Sequence, residues 1–413
     1  MRLSLCIIVK DEAKSLPQCL ESVKDVVDEM IVLDTGSSDE TVAIAQSLGA
    51  QVEHFAWNND FSAARNESLK YASGDWILVL DADERLAKDV VPFMQQAMQE
   101  PNALVVNLVR KEIGAVQSPY SLVSRLFRKH DRIHFTRPYH AIVDDSVTDL
   151  LKQESQWRII ELPKVAILHY GYQPGTIASR NKLEMAETSM TTFLKAHPTD
   201  PYACSKLGAL YVQKGDCDRG IKLLEQGLQT VLTPDSSPRA LYTGLFSTAN
   251  APLLFELHYH LGLAYSRIRQ PAQAEQHYRL AVQQPVLNQL KLGAYNNLGT
   301  LLQTKGDLNG AKGAYEACLE IDPTFVTVHY NLGMVLKAMG QLTAAAGQYQ
   351  KAIDFNPNYA EAYQNLGVVL LKLEQSAEGM QAFKRAIDLH QQHNPQEAAR
   401  LRQGLRELGF QDI

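Results

Sequence analysis

Three short apolar runs end in acid. Leu3–Val9 runs into Asp11 and Glu12, Glu29–Leu33 into Asp34, and Trp76–Leu80 into Asp81-Ala82-Asp83-Glu84. Two carboxylates about 4 Å apart repel by about 4 kcal/mol at an effective dielectric of 20, so acids gathered at one edge do not hold a bare phosphate. A divalent cation reverses that sign and can hold a diphosphate in the same place. Hard oxygen ligands suit Mg²⁺ or Mn²⁺. A Gly-x-Gly-x-x-Gly turn after the first run would indicate a dinucleotide, and Gly-Lys-Ser/Thr a P-loop; neither occurs. The residues point to a metal-dependent site for a nucleoside diphosphate.

The elements that must position these acids can be read around them. Leu3–Val9, Glu29–Leu33, Gln51–Phe55, Trp76–Leu80 and Ala103–Val109 read as strands, and the central ones are nearly continuous apolar runs, as when helices cover both faces of a sheet. Helical patterns lie between them. One opens on Ser37-Ser38-Asp39-Glu40, a capping box, and stops at Gly49; another runs from Ser62 to Tyr71, with Gly74 after it. Alternating strand and helix predicts an α/β, Rossmann-like parallel sheet. Ligands of such sheets bind outside the carboxyl ends of the strands, where the acids fall.

After about residue 175 the period changes. Leu261-Gly262, Leu298-Gly299, Leu332-Gly333 and Leu366-Gly367 repeat, the last three at intervals of 34 residues. Twelve residues after each glycine stands a small residue (Ala274, Ala311, Ala345, Gly379), and sixteen after stands a ring (Tyr278, Tyr315, Tyr349, Phe383). A weaker copy has Leu207-Gly208, Gly220 and Leu224. Small residues let two antiparallel helices touch, a large ring fills the gap beside them, and Pro323 and Pro357 end two units. This predicts an all-α helix-turn-helix array.

The whole chain bounds the remaining classes. Its 413 residues suggest two or three domains, and 45% hydrophobic content with a net charge of −6 excludes a disordered chain. No block is basic enough for general nucleic-acid binding, so no nucleic acid is expected as a partner. Five scattered cysteines without a Cys-x-x-Cys predict reduced thiols and a cytoplasmic location. No apolar run reaches the ~18 residues of a membrane span, and the first run is too short for a signal sequence.

Four stretches together resemble family 2 glycosyltransferases with the GT-A fold: Ile7-Ile8-Val9-Lys10-Asp11-Glu12, Val32–Asp39, Phe61-Ser62-Ala63-Ala64-Arg65-Asn66 and Gly74–Glu84. The repeat resembles the tetratricopeptide repeat. The resemblance implies a metal-dependent inverting transferase that moves a sugar from a nucleotide-sugar, expected to be a UDP-sugar, to an acceptor. It implies that Asp34 accepts a hydrogen bond from the base and that Asp11 and Glu12 border the nucleoside. Arg65 and Asn66 would contact the nucleotide or brace its loop. Asp81 would touch ribose and metal, Asp83 would bind the metal, and His169, in a late His-x-Gly signature, would face the metal or diphosphate. Plain structural roles stand beside these: a helix cap for Asp34, an ion pair for Arg65, a solvated turn for Asp81 and Asp83, a satisfied core histidine for His169.

Relatives commonly have His-Glu where this chain has His140-Ala141. The missing glutamate would be the natural base, so Asp144, Asp145 or Glu84 is expected to replace it; otherwise the domain is degenerate and the chain acts as a tetratricopeptide scaffold. Seven Lys/Arg between Arg110 and His140, against Glu112 and Asp131, suit an anionic donor. Asn297, Asn331 and Asn365 recur two residues before the glycines. They resemble the ladder in the superhelix of O-GlcNAc transferases, which implies binding of a polypeptide acceptor or protein partner; inter-repeat hydrogen bonding is the plain alternative. The expected organisation is a glycosyltransferase domain at 1–175, a linker helix at 176–197, repeats at 198–390 with an insert near 232–252, and a capping helix at 391–413. A homodimer stays open.

Overall fold

Strands form where the apolar runs predict them, and the sheet then extends beyond them. The computed structural model describes residues 1–115, 119–171, 179–233 (side chains from 183) and 250–410. The strands are β1 Leu3–Val9, β2 Glu29–Asp34, β3 Gln51–His54, β4 Trp76–Val79, β5 Glu84–Leu86, β6 Ala103–Glu112, β7 Tyr120–Arg128 and β8 Arg158–His169. They make one eight-stranded sheet of order β3-β2-β1-β4-β7-β6-β8-β5. The first four strands are parallel, as expected. Past β4 the sheet is mixed: β7 is antiparallel to both β4 and β6, β8 is parallel to β6, and β5 is antiparallel to β8. The purely parallel sheet expected from the sequence is therefore corrected. The added strands hide because their apolar pattern is broken. Ser121, Ser124 and Arg125 interrupt β7, and Pro163 interrupts β8 where its register against β6 skips from Leu162 to Val165.

Helices cover both faces, which is why β1 is apolar at every position but Ser4. On one face Leu5, Ile7 and Val9 pack with α1 (Leu16–Val23), α2 (Thr41–Ser47) and α4 (Val91–Gln99). On the other Cys6, Ile77 and Phe127 pack with α3 (Phe61–Tyr71) and α5 (Asp144–Gln153). The Asp60 carboxylate caps α3, accepting from the amides of Ser62 at 2.8 Å and Ala63 at 3.1 Å. The capping box at Ser37–Glu40 does not form, and α2 starts four residues later than predicted. The amides that would open the helix are spent on strand-end carboxylates: Gly36 and Ser37 donate to Asp34, and Ser38 donates to Asp11. Gly49 ends the helix in the left-handed region at φ 83°, as predicted.

Two compact units result, Met1–Leu253 and Leu254–Ile413. The first holds the sheet together with helices Ser179–Ala196, Pro201–Lys214 and Cys217–Leu232. The second holds helices Pro271–Gln283, Leu292–Thr304, Leu308–Ile321, Val326–Ala338, Leu342–Phe355, Ala360–Lys372, Ser376–His393 and Pro395–Glu407, with Ala251–Arg267 entering it. Residues 234–249 of the expected insert, the start of the expected linker helix and residues 411–413 lie outside the described residues.

The repeat glycines act as the spacing predicts. A Cβ on Gly262, Gly299, Gly333 or Gly367 would stand 2.6 to 2.8 Å from the ring of Tyr278, Tyr315, Tyr349 or Phe383. In the weaker copy Leu224 takes the ring's place against Gly208. The last helix buries Ala398 and Leu405 against Phe383 and Ile387, while Leu408 is exposed. All five cysteines are buried thiols. Among the described residues no helix is long and apolar enough to cross a membrane.

Candidate active site

At the carboxyl ends of β1 and β2 the acids organise a turn. Asp34 is buried; its carboxylate accepts from the amides of Gly36 and Ser37 at 3.1 Å and faces His54 Nδ1 at 3.4 Å. Asp11 sits in the left-handed region at φ 54° and accepts from the Ser38 amide at 2.7 Å and hydroxyl at 3.0 Å. Those bonds, the backbone one first, hold its carboxyl below the usual range. The Glu12 amide donates to Thr41 Oγ1 at 2.7 Å. These three residues thus frame one rim, with the carboxylates of Asp34 and Asp11 and the amide of Glu12 used to shape the turn.

Asp81 is tied by cations. Its two oxygens accept from Arg65 Nη2 at 2.6 Å and Arg125 Nη2 at 2.9 Å. Burial alone would raise its pKa, but the Arg125 and Arg65 guanidiniums outweigh it and hold the carboxyl well below its ordinary value. Asn66, on the turn of α3 that carries Arg65, braces a loop: its amide nitrogen donates to the Phe135 carbonyl at 2.9 Å, and its oxygen accepts from the Phe135 amide at 2.7 Å.

Asp83 is placed differently. Its Oδ2 lies 3.3 Å from His169 Nε2, and His169 Nδ1 is hydrogen-bonded to Glu112. Strand order explains the meeting. His169 on β8 is the register partner of Glu112 on β6 and of Glu84 on β5, so one rung carries all three. Arg110, two residues before Glu112, ties the rung from below, donating to Glu84 at 2.9 Å and to Glu112 at 2.8 Å. Burial would lower the His169 pKa, but Asp83 and Glu112 on its two nitrogens push it up to about 10. Gly171 leaves room beside this pair: a Cβ there would stand 2.6 Å from His169 Nε2 and 3.0 Å from Asp83 Oδ2.

Of the three expected bases, the geometry leaves one. Glu84 is fully buried and accepts from Arg110 and from the Asp81 amide, so it cannot reach an acceptor; that expectation is corrected. Asp145 accepts from Thr136 Oγ1 at 2.5 Å and from Arg137, and Arg137 also donates to Asp200 at 2.8 Å at the start of helix Pro201–Lys214. It is a structural tie rather than a base. Asp144 is open to solvent at the start of α5 and accepts from Ser124 Oγ at 2.9 Å. Protein crowding around the carboxylate raises its pKa, offset in part by that bond. A bulge in β7 puts Ser124 and Arg125 together opposite Asn107, where the register jumps from Val106–Leu126 to Leu108–Val123. Consecutive residues therefore hold Asp144 and Asp81.

Residues 4–160 match the family model described as glycosyl transferase family 2. The chain carries a family 2 glycosyltransferase domain at its N-terminus. Residues 255–284, 292–325 and 360–393 match a tetratricopeptide repeat model, and 314–346 and 335–374 match two further repeat models. A TPR repeat-containing protein of Synechococcus elongatus is 44% identical over 322 residues, 78% of this chain and 76% of that protein. The SPbeta prophage-derived glycosyltransferase SunS of Bacillus subtilis is 28% identical over 206 residues, 47% of this chain and 46% of its own length, so the chain spans less than half of that relative. Among solved structures, YrrB, described as a TPR protein with an unusual peptide-binding site, is 18% identical at a TM-score of 0.40, covering 50% of this chain and 94% of that one.

Glycosyltransferases of this family often use a divalent metal. The residues present fit one at Asp83 and His169: a carboxylate oxygen and an imidazole nitrogen face each other across space that a Cβ on Gly171 would fill. Among the described residues no group of three or more His, Cys, Asp or Glu converges as a closed cage, so phosphates and water would supply the other ligands, the usual arrangement for Mg²⁺. Asp81, expected to share the metal, has both its oxygens on guanidiniums. Glu112 was legible only as part of a charged stretch; nothing in its spacing singled it out.

The asparagine ladder of this glycosyltransferase turns inward. Asn331 Nδ2 donates to Asn296 Oδ1 at 3.2 Å and Asn365 Nδ2 to Tyr330 OH at 3.2 Å, each reaching back 35 residues. Lys337 Nζ donates to Asn365 Oδ1 at 2.5 Å, and Asn297 Oδ1 accepts from Asn296 at 3.5 Å. The amides of Asn331 and Asn365 link neighbouring repeats, the plain alternative to peptide binding.

Proposed function

We propose that this glycosyltransferase moves a sugar from a nucleoside-diphosphate sugar, a UDP-sugar, to an acceptor by a single displacement with inversion, with Mg²⁺ or Mn²⁺ at Asp83 and His169. The observation that carries the reading is the contrast among neighbouring acids. Asp81, Glu84 and Asp145 are committed to guanidinium groups, while Asp83 meets the His169 imidazole and Asp144 is exposed with Ser124 as a neutral partner. A bound divalent ion supplies charge stabilisation to the leaving diphosphate. The chain's own residues do the rest. Asp34, Asp11 and Glu12 frame the nucleoside rim. Arg65 and Arg125 hold Asp81 rigidly for the ribose. Asp144 takes the acceptor proton: it is exposed and oriented by Ser124 Oγ. Ala141, where relatives carry glutamate, packs against the apolar cluster around Phe135 and Val143, which leaves the base role to the acid three residues on.

Acceptor recruitment is assigned to the tetratricopeptide repeats, whose general use is protein interaction; a polypeptide acceptor or a protein partner fits them. The test needs no acceptor. The unfolding temperature of the full chain is measured with a panel of UDP-, GDP- and dTDP-sugars, with and without Mn²⁺. A ligand that binds only the native state stabilises by RT ln(1 + [L]/Kd). Stabilisation by a UDP-sugar that requires Mn²⁺ and is lost in Asp83→Asn supports the reading. A panel without any Mn²⁺-dependent shift overturns it and favours the scaffold alternative.

A further inference from the structure

We propose that Glu112 is the positioning residue of the metal pair: its carboxylate fixes the His169 ring so that Nε2, and not Nδ1, is presented beside Asp83. This rests on the assignment of Asp83 and His169 to a divalent ion and adds a residue that no sequence motif marks.

Three observations carry it. Glu112 is buried and sits on the rung of β6 opposite His169, so its carboxylate meets the ring edge-on at Nδ1. A carboxylate only accepts, so Nδ1 carries a proton toward Glu112; Nε2 faces Asp83 Oδ2 at 3.3 Å, and its proton is the one a metal at Asp83 would replace. Glu112 is itself immobilised: its Oε1 accepts from Arg110 Nε at 2.8 Å and from Ser121 Oγ at 3.0 Å, and Arg110 is anchored in turn on the fully buried Glu84. The chain Glu84–Arg110–Glu112–His169 therefore transmits the rigidity of three adjacent strands to one imidazole. Ring nitrogens that bind metals are commonly held this way from the far side, and loss of the holding group weakens metal binding by about 10–100-fold.

The test uses Mn²⁺ alone as the probe on the full chain. Binding is followed by the electron paramagnetic resonance of free Mn²⁺, and imidazole coordination by nitrogen modulation of the spin echo. In Glu112→Gln the amide oxygen is expected to stay with Arg110 and Ser121, which turns the amide N–H toward Nδ1. That places the ring proton on Nε2, the wrong nitrogen. The expected result is Mn²⁺ binding about 10–100-fold weaker, with the nitrogen modulation lost, in a chain that still unfolds cooperatively. Glu112→Asp keeps the charge against Arg110 but draws the carboxylate back, and carries the test if the glutamine variant does not fold; it is expected to weaken Mn²⁺ binding by a smaller factor. Mn²⁺ affinity within twofold of the parent and unchanged modulation in a folded Glu112 variant, while Asp83→Asn and His169→Ala both weaken binding, overturns the role of Glu112 alone. Mn²⁺ binding indifferent to Asp83→Asn and His169→Ala removes the metal assignment, and this inference with it.

Discussion

The sheet domain and the repeats solve the problem of buried surface in opposite ways. In the repeats one contact recurs: a glycine on the first helix receives a ring from the second, at Gly262, Gly299, Gly333 and Gly367 alike. Each copy depends on its neighbours only, so a defect in one is local and graded. At the acidic edge of the sheet no contact repeats. Asp81 is shared by two arginines, and Arg110 is shared by two glutamates, one of which holds His169. Removing any member leaves another charge buried without its partner, which costs far more than the pair contributes. The comparison teaches that the repeats tolerate change by being modular, whereas the site is held in one geometry by being indivisible.

Four measurements would break or sharpen that contrast. The largest effect is expected at the open acid: Asp144→Asn should lower kcat about 10²–10⁴-fold with little change in donor KM, read as transfer or as slow donor hydrolysis. Next, Arg110→Met keeps the side-chain volume but takes from Glu84 and Glu112 the guanidinium they share; a loss of about 3–5 kcal/mol is expected in urea unfolding, and a loss under 1 kcal/mol would show the network to be divisible. Third, the repeats hold one titrating pair. His258 Nδ1 lies 3.0 Å from His277 Nδ1, and burial first, then the His277 charge, lower the His258 pKa from 6.5 to about 4. A lowered histidine binds fewer protons folded than unfolded, so its contribution is intact above pH 6.5 and falls as the pH drops toward 4. About 2–3 kcal/mol should be lost across that window, and His258→Gln should flatten the dependence when both chains are unfolded at pH 7 and pH 5. The smallest effect separates two glycines of one array. Gly333→Ala drives a Cβ to 2.7 Å from the Tyr349 ring and should cost about 1–3 kcal/mol. Gly313→Ala meets nothing within 4 Å in a helix interior and should stabilise by about 0.5–1 kcal/mol.

The two regions also differ in how far their residues announce them. The repeat glycines and rings are sixteen residues apart along two consecutive helices, so spacing and contact are the same information. The acids at the ends of β1, β2 and β4 are similarly local, because each follows its own strand. The antiparallel half of the sheet was not legible. β7 and β8 carry serine, arginine and proline in their interiors, and their pairing is decided by neighbours far along the chain. Missing β7 meant missing the bulge that sets Arg125 on Asp81 and Ser124 on Asp144. The late helix start at Thr41 has the same origin, since the amides of residues 36–38 are claimed by Asp34 and Asp11 across the turn.

The sequence by itself determined the kinds of element, the repeat and the edge where the acids gather, because those depend on periodicity and on residues adjacent in the chain. Only the tertiary structure decided which acids are spent and which are open. Arg65 reaches Asp81 across 16 residues, Arg110 reaches Glu84 across 26, Arg125 reaches Asp81 across 44, and His169 meets Glu112 across 57. A carboxylate's chemistry is set by the charges and burial around it, and those neighbours are brought together by strand order rather than by spacing.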